Sequence, residues 1–334
     1  MPSSSDINYI TYLDNLSFHL NNYLSIVILI FGTVGNLLNC LALSQRTLRT
    51  NPCAFLFLTS SIASIITLMS GVTVRLLAGW SADLTDRIGW LCKFRIFILF
   101  SSRTIASWLI VLATFDRWVS SSTNIHRRQM SSLKNAQRGI IIIICLSSLV
   151  YAQIFYCYEA NLTNAPLKCY GKTIWCRLLI DLEFIFISIL IPSLLMFLFS
   201  FMTILNVRQL VLRRIQLAPS SIKIQTATMK KHTQRLKKAE YYLLLMLFVQ
   251  VILFILFSSP QAIQSLYTNI TRFQVKSPLE NATNNFLFNL FLLLTYVTNG
   301  MPFYIYTLTG GIIFRKALFH SIRDFIRTIT CRRR

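Results

Sequence analysis

The sequence predicts an all-α membrane protein, a seven-transmembrane helix bundle with a short amphipathic eighth helix, and three observations predict it. Apolar and aromatic residues make up 54% of the 334 residues and charged residues 13%, about half the charged fraction of an ordinary soluble domain. Long apolar runs recur seven times, each near the roughly 20 residues that carry a helix across a hydrocarbon core about 30 Å thick. The basic residues gather in alternate segments between those runs, the pattern produced when short cytoplasmic loops retain Lys and Arg.

The runs lie at 23–44, 53–77, 91–117, 139–157, 179–207, 241–267 and 285–309. The sixth is the clearest: Tyr241 to Phe257 reads YYLLLMLFVQVILFILF, with Gln250 its one strongly polar residue. An odd number of spans places the termini on opposite sides. The chain thus divides into a tail at 1–22, a helical domain at 23–309, and a cytoplasmic amphipathic helix with a basic tail at 310–334. Of the 33 basic residues, 23 fall in the first, third and fifth loops, at their helix ends or in the C-terminal tail, while eight of the 11 acidic residues fall on the other side. That sets the N-terminus outside, in a plasma-membrane protein with its C-terminus in the cytosol. Four N-x-S/T sequons, at Asn15, Asn161, Asn269 and Asn281, all fall in segments this topology makes extracellular, where glycans are added. The first 20 residues lack the basic and apolar regions of a cleaved signal, so the first span is expected to direct insertion itself.

Several function classes are disfavoured. A net charge of +22 would suit nucleic acid only if it gathered on a soluble face, whereas here it is distributed between apolar runs, so lipids are the expected neighbours. No room remains for a soluble catalytic domain. His19, His126, His232 and His320 lie on separate segments, without metal spacing or a nucleophile motif, so no catalytic residue, metal or cofactor is expected. A transporter would often show interrupted helices paired between two halves, and no such pairing is visible.

The third span carries the most specific motif. Cys92 opens it, and Asp116-Arg117-Trp118 closes it; the 25 residues from Cys92 to Arg117 are about 37 Å of helix, enough to cross the membrane. Asp116-Arg117-Trp118 resembles the Asp-Arg-Tyr motif of rhodopsin-like (class A) G-protein-coupled receptors, at that family's spacing from its third-helix cysteine. The resemblance extends along nearly the whole chain. Gly35-Asn36 matches the first-helix pair, Pro192 the fifth-helix proline, Pro260 the sixth-helix proline, and Phe254 the aromatic six residues before it. Pro260 removes a backbone donor and is expected to make a hinge. Glu240, 20 residues before Pro260, stands where an acid can pair with the third-helix arginine in the resting receptor; a solvated helix-end carboxylate is the alternative.

Departures are specific too. Ser258 replaces the usual tryptophan, Ser200 the fifth-helix tyrosine, and Ser64 the second-helix aspartate, which puts the family's internal sodium site in doubt. The seventh span ends in Asn299-Gly300-Met301-Pro302-Phe303-Tyr304-Ile305-Tyr306. Of its two registers against the Asn-Pro-x-x-Tyr motif, the one that places Phe303 and Tyr306 as in the Asn-Phe-x-x-Tyr variant of some invertebrate peptide receptors is preferred, with Pro302 in place of asparagine. Phe314, Leu318, Phe319, Ile322 and Ile326 recur at helical spacing among Arg315, Lys316, Arg323 and Arg327, resembling the family's eighth helix on the inner leaflet; a soluble tail helix is the alternative. Cys331 is either palmitoylated or a free thiol.

The resemblance implies a disulfide between Cys92 and Cys169, with Cys157 and Cys176 a candidate second bridge. Arg103, 14 residues before Arg117, is deep enough to face a bundle cavity and needs a partner. Asp181 and Glu183 are candidates, as is an anionic group on a ligand. The amine-receptor aspartate falls at Leu99, which disfavours an aminergic ligand, and no seventh-span lysine is present to hold retinal. A candidate pocket of Leu99, Arg103, Asp181 and Ser258 follows. The resemblance, closest to invertebrate FMRFamide and neuropeptide-type orphan receptors, implies a receptor that couples an extracellular ligand, expected to be a peptide, to a cytosolic heterotrimeric G protein. Small-molecule chemosensation is the alternative.

Overall fold

Polar side chains share the interior with an apolar core, and large apolar side chains cover much of the exterior. The computed structural model describes residues 4–79, 83–162, 168–216, 226–271, 274, 276–309, 315, 318–320 and 323. Among them Asn36, Asn39, Ser60, Ser64, Thr104 and Thr295 are buried, while Phe31, Ile142, Leu149, Phe197, Phe201 and Leu256 are exposed. Such an exterior suits hydrocarbon, in which each span must satisfy its own backbone and so becomes a helix.

Six described helices are long and apolar enough to cross a membrane: α1 (Asp6–Leu43), α2 (Pro52–Leu77), α3 (Gly89–Ser120), α4 (Leu133–Cys157), α5 (Ile174–Gln209) and the Phe248–Ile270 part of α6 (Thr226–Ile270). A further pair, α7 (Pro278–Gly300) and α8 (Pro302–Thr309), bends by 50° between its members and passes the same test together. The fold is therefore an all-α bundle whose helices suit a multi-pass membrane protein. In α3 67% of the apolar window is buried, against 28% in α4, which makes α3 the central helix and α4 a peripheral one. α3 packs on α2, α4 and α5, α6 packs on α5 and α7, and α7 closes the bundle against α1 and α2.

The helices begin earlier than hydropathy indicates. α1 was expected from residue 23, yet the chain is helical from Ser4, through a widened π-helical turn at Leu20–Leu24. At 38 residues, α1 is about 57 Å long, well beyond the hydrocarbon thickness. Its N-terminal part packs on α7, with Leu13 buried and Asn289 Nδ2 donating to Ser17 Oγ at 3.4 Å. Caps set other starts. Ser132, Thr173 and Ser277 each accept a backbone N–H in the first turn, extending α4, α5 and α7 outwards from the apolar runs expected at 139, 179 and 285.

Prolines shape the interior. Pro192 cannot donate to the carbonyl four residues back, and the helix immediately before it widens into a π-helical segment, Phe184–Leu190. Pro302 interrupts the seventh run at Met301. Near that break Asn36 Nδ2 donates to the carbonyl of Asn299 at 2.8 Å, supplying one of the terminal carbonyls of α7. The approach is close because Gly32 and Gly300 face each other; a Cβ on Gly300 would lie 3.0 Å from the Gly32 Cα.

Of the expected tail helix, Phe314, Lys316, Ile322, Ile326, Arg327 and Cys331 lie outside the described residues. Leu318 is buried in a cluster with Ala136, Phe57 and Tyr306, and Phe319 is 71% exposed.

Candidate functional site

At one end of the bundle a short hairpin, β1 (Tyr158–Glu159) antiparallel to β2 (Tyr170–Gly171), is tied down by two disulfides. Cys92 at the start of α3 bonds Cys169, and Cys157 bonds Cys176, with Cα separations of 5.8 and 5.3 Å. Both expected pairings are thus present. The four sequons belong to this end. Asn15, Asn161 and Asn281 are exposed, whereas Asn269 is half-buried and its amide donates to Asp181.

Beneath the hairpin lies a cavity of about 280 Å³. Its walls include Leu99, Phe100, Phe184, Phe288 and Leu292, and its charged lining comprises Arg75, Arg95, Arg103, Lys168 and Arg177 against Asp83, Asp86 and Asp181. Several of these are committed. Arg95 lies 3.7 Å from the Asp83 carboxylate, which also accepts from the Thr85 backbone at 2.8 Å. Arg177 Nε donates to the Gly171 carbonyl at 2.6 Å, with its guanidinium 4.9 Å from the Tyr170 ring centroid. Burial pushes the Asp86 carboxyl above its ordinary range, and the neighbouring Asp83 adds to the shift.

Arg103 forms the cavity floor. Its guanidinium donates to Thr295 Oγ1 at 3.0 Å and lies 5.3 and 4.9 Å from the ring centroids of Phe184 and Tyr296. The expected carboxylate partners are elsewhere. Asp181 accepts from Asn269, and Glu183 is held by Gln153 Nε2 at 2.6 Å. No carboxylate pairs with Arg103 among the described residues; aromatic faces and the hydroxyls of Thr295 and Tyr296 surround it. Thus Leu99, Arg103 and Asp181 share this cavity, while Ser258 lines a deeper one that Arg103 also reaches.

That deeper cavity, about 30 Å³, has Ser64, Ser107, Thr298 and Asn299 in its walls, enough room for water. None of its lining residues is acidic, and the Arg103 cation at its boundary opposes a metal ion by simple Coulomb repulsion. Phe254 and Pro302 also line it, and Pro260 follows Ser258 by two residues within α6.

At the far end of α3, 13 residues or about 20 Å from Arg103, Asp116 accepts from Ser131 Oγ at 2.7 Å. Arg117 Nη2 donates to Asn51 Oδ1 at 2.9 Å. Trp118 stacks on Phe199 with centroids 5.6 Å apart. Tyr306 is buried, donating to Gln250 Oε1 at 3.3 Å and packing on Phe57. Glu240 falls within α6, with its side chain outside the described residues.

The sequence reading missed Arg75, Tyr296 and Asn51. Arg75 carried a usable signal, a charge within an apolar span, the same signal that singled out Arg103. Asn51 carried another: Asn before Pro52 is a helix start, and its Oδ1 accepts from the Cys53 backbone at 3.0 Å.

No protein-family model matches the chain, and no curated protein matches it.

Proposed function

We propose that the chain is a rhodopsin-like G-protein-coupled receptor of seven spans, the bent pair α7 and α8 counting as one, which couples an extracellular ligand to a cytosolic heterotrimeric G protein. The observation that carries this reading is the polarity of α3. One end is fastened by a disulfide beside an apolar and cationic cavity, and at the other Asp116 accepts from Ser131 while Arg117 donates to Asn51. Between them lies a polar interior bordered by helices that carry Pro192, Pro260 and Pro302, and there the helices can change arrangement. A ligand that binds one arrangement better shifts the population towards it. Outward movement of α6 about Pro260 would separate Gln250 from Tyr306 and uncover the surface around Arg117 for the G protein.

The resemblance to neuropeptide receptors supports a peptide ligand, an N-terminus outside the plasma membrane and a C-terminus in the cytosol. The modest cavity beneath the hairpin favours, as a second reading, a small molecule. Screening peptides and small metabolites on cells expressing the chain, with heterotrimer dissociation as readout, tests the proposal. The expected result is a ligand-dependent response abolished by Arg117→Ala at unchanged surface expression. A response that Arg117→Ala leaves intact would refute coupling through α3.

A further inference from the structure

Two of the buried cations lining the outer cavity make no ion pair with a carboxylate among the described residues. Arg103 is 8% exposed, and its Nε has no hydrogen-bond partner. Arg75 donates from Nη1 to Asn289 Oδ1 at 2.7 Å, while its Nη2 is buried without a partner. Neither lies within ion-pair distance of a carboxylate among the described residues. Tyr296 joins them. Its ring faces the Arg103 guanidinium and fills the space left by Gly71, where any Cβ would overlap the ring and its hydroxyl. Gly71 is one helical turn from Arg75, so both cations are placed around the same aromatic side chain.

Uncompensated cations are expensive in a membrane interior, and the cavity carries five cationic against three acidic side chains. Asp181 is the acid nearest in kind to a counter-ion, but Asn269 engages it. We propose that the cavity takes a ligand through an anionic oxygen group, a carboxylate, sulfate or phosphate, seated by Arg103 and Arg75, with an apolar or aromatic body against Phe100, Phe184 and Phe288. Two guanidiniums offer forked donors that suit such oxygens, and the aromatic walls leave room for more than a bare ion. The proposal deepens the receptor reading and rests on it only in making the occupant an extracellular ligand.

The experiment uses the full-length chain in lipid nanodiscs without a G protein and measures the thermal midpoint by fluorescence. Probes are benzoate, benzamide and sulfate, with ionic strength held constant by chloride. Benzoate or sulfate should raise the midpoint saturably, as a ligand of the native state must, and benzamide should not. Arg103→Gln and Arg75→Gln should each raise the half-saturating concentration at least about tenfold, the loss expected for a charged hydrogen bond, while Arg103→Lys should retain part of the response. Without any probe, both Gln variants should unfold at a higher temperature than wild type, because each removes an unpaired buried charge. A benzoate response without a sulfate response assigns the site to a carboxylate on an apolar body, and the converse assigns it to a free oxyanion. Equal effects of benzoate and benzamide, no response to either anion, or Gln variants that keep the wild-type response would overturn the proposal. If Arg103→Gln fails to fold, Arg75→Gln and the wild-type probe comparison still decide. Because the readout is independent of nucleotide exchange, anion binding without G-protein coupling would refute the receptor reading alone, and coupling driven by a neutral ligand in a chain blind to anions would refute this inference alone.

Discussion

Replacing Asn51 should change the resting activity of the receptor, and the replacement must be chosen with care. Asn51 Oδ1 accepts both from Arg117 Nη2 at 2.9 Å and from the Cys53 backbone at 3.0 Å, so it restrains the arginine and caps α2 at once. Ala would remove both functions and cost about 1 kcal/mol in helix capping alone. Ser keeps a capping oxygen but is too short to hold the guanidinium, and Asp keeps the cap while adding a charge. A hydrogen bond to a charged group contributes about 1.5–3 kcal/mol when buried, and this one faces the solvated end of α3, so about 1 kcal/mol is a fair weight. That is roughly a fivefold change in a two-state equilibrium. Asn51→Ser should therefore raise basal nucleotide exchange about fivefold, and Asn51→Asp should lower it by holding Arg117 more tightly. Glu240→Ala should also raise it if the acid at that offset restrains the arginine, and Arg117→Ala should abolish ligand-driven exchange without loss of surface expression. The assay is GTP-analogue loading of a purified heterotrimer, normalised to receptor number. Equal basal rates in wild type, Asn51→Ser and Asn51→Asp would refute the idea that freedom of Arg117 sets the resting activity.

Three further outcomes follow from the outer end. Removing Cys92–Cys169 by paired serine substitution should destabilise more than removing Cys157–Cys176, since the loops span 77 and 19 residues and loop entropy gives upper bounds of about 4.5 and about 3.2 kcal/mol; thermal unfolding of both variants checks the order, and peptide mapping of unreduced protein checks the pairing. Glycans should be found at the exposed Asn15, Asn161 and Asn281 but not at Asn269, which is half-buried with its amide engaged by Asp181; site-by-site mass spectrometry of protein from eukaryotic cells decides, and an occupied Asn269 would contradict that burial and contact. Asp86 is held above its ordinary pKa by burial and by Asp83, so its contribution to stability is present below the unfolded value near 3.9 and lost as pH rises through the folded value. Asp86→Asn should thus unfold at a higher temperature than wild type at neutral pH, with the gap closing as pH falls towards 4.

The spans were legible because hydropathy is a local property: nothing outside the Tyr241–Phe257 run is needed to see that it prefers lipid. Helix ends are less local. The polar Ser4–His19 segment becomes a helix because it packs along α7, where Leu13 finds cover, and its own composition does not announce that neighbour. Ser132, Thr173 and Ser277 did carry capping signals, but a reading based on apolar length stops before them. The same limit explains the site. Arg103 was visible as a charge in an apolar helix, and the inference that it needs a partner was sound physics. Which acid answers it depends on what else reaches that acid, and Gln153 and Asn269, on α4 and α6, reach Glu183 and Asp181 first. The outcome turns an expected internal ion pair into two acids held by neutral amides and a cation that no carboxylate pairs among the described residues. The linear chain can nominate charges, but only the packing decides which are spent on each other and which remain turned towards the cavity, and here the remainder is positive at both Arg75 and Arg103.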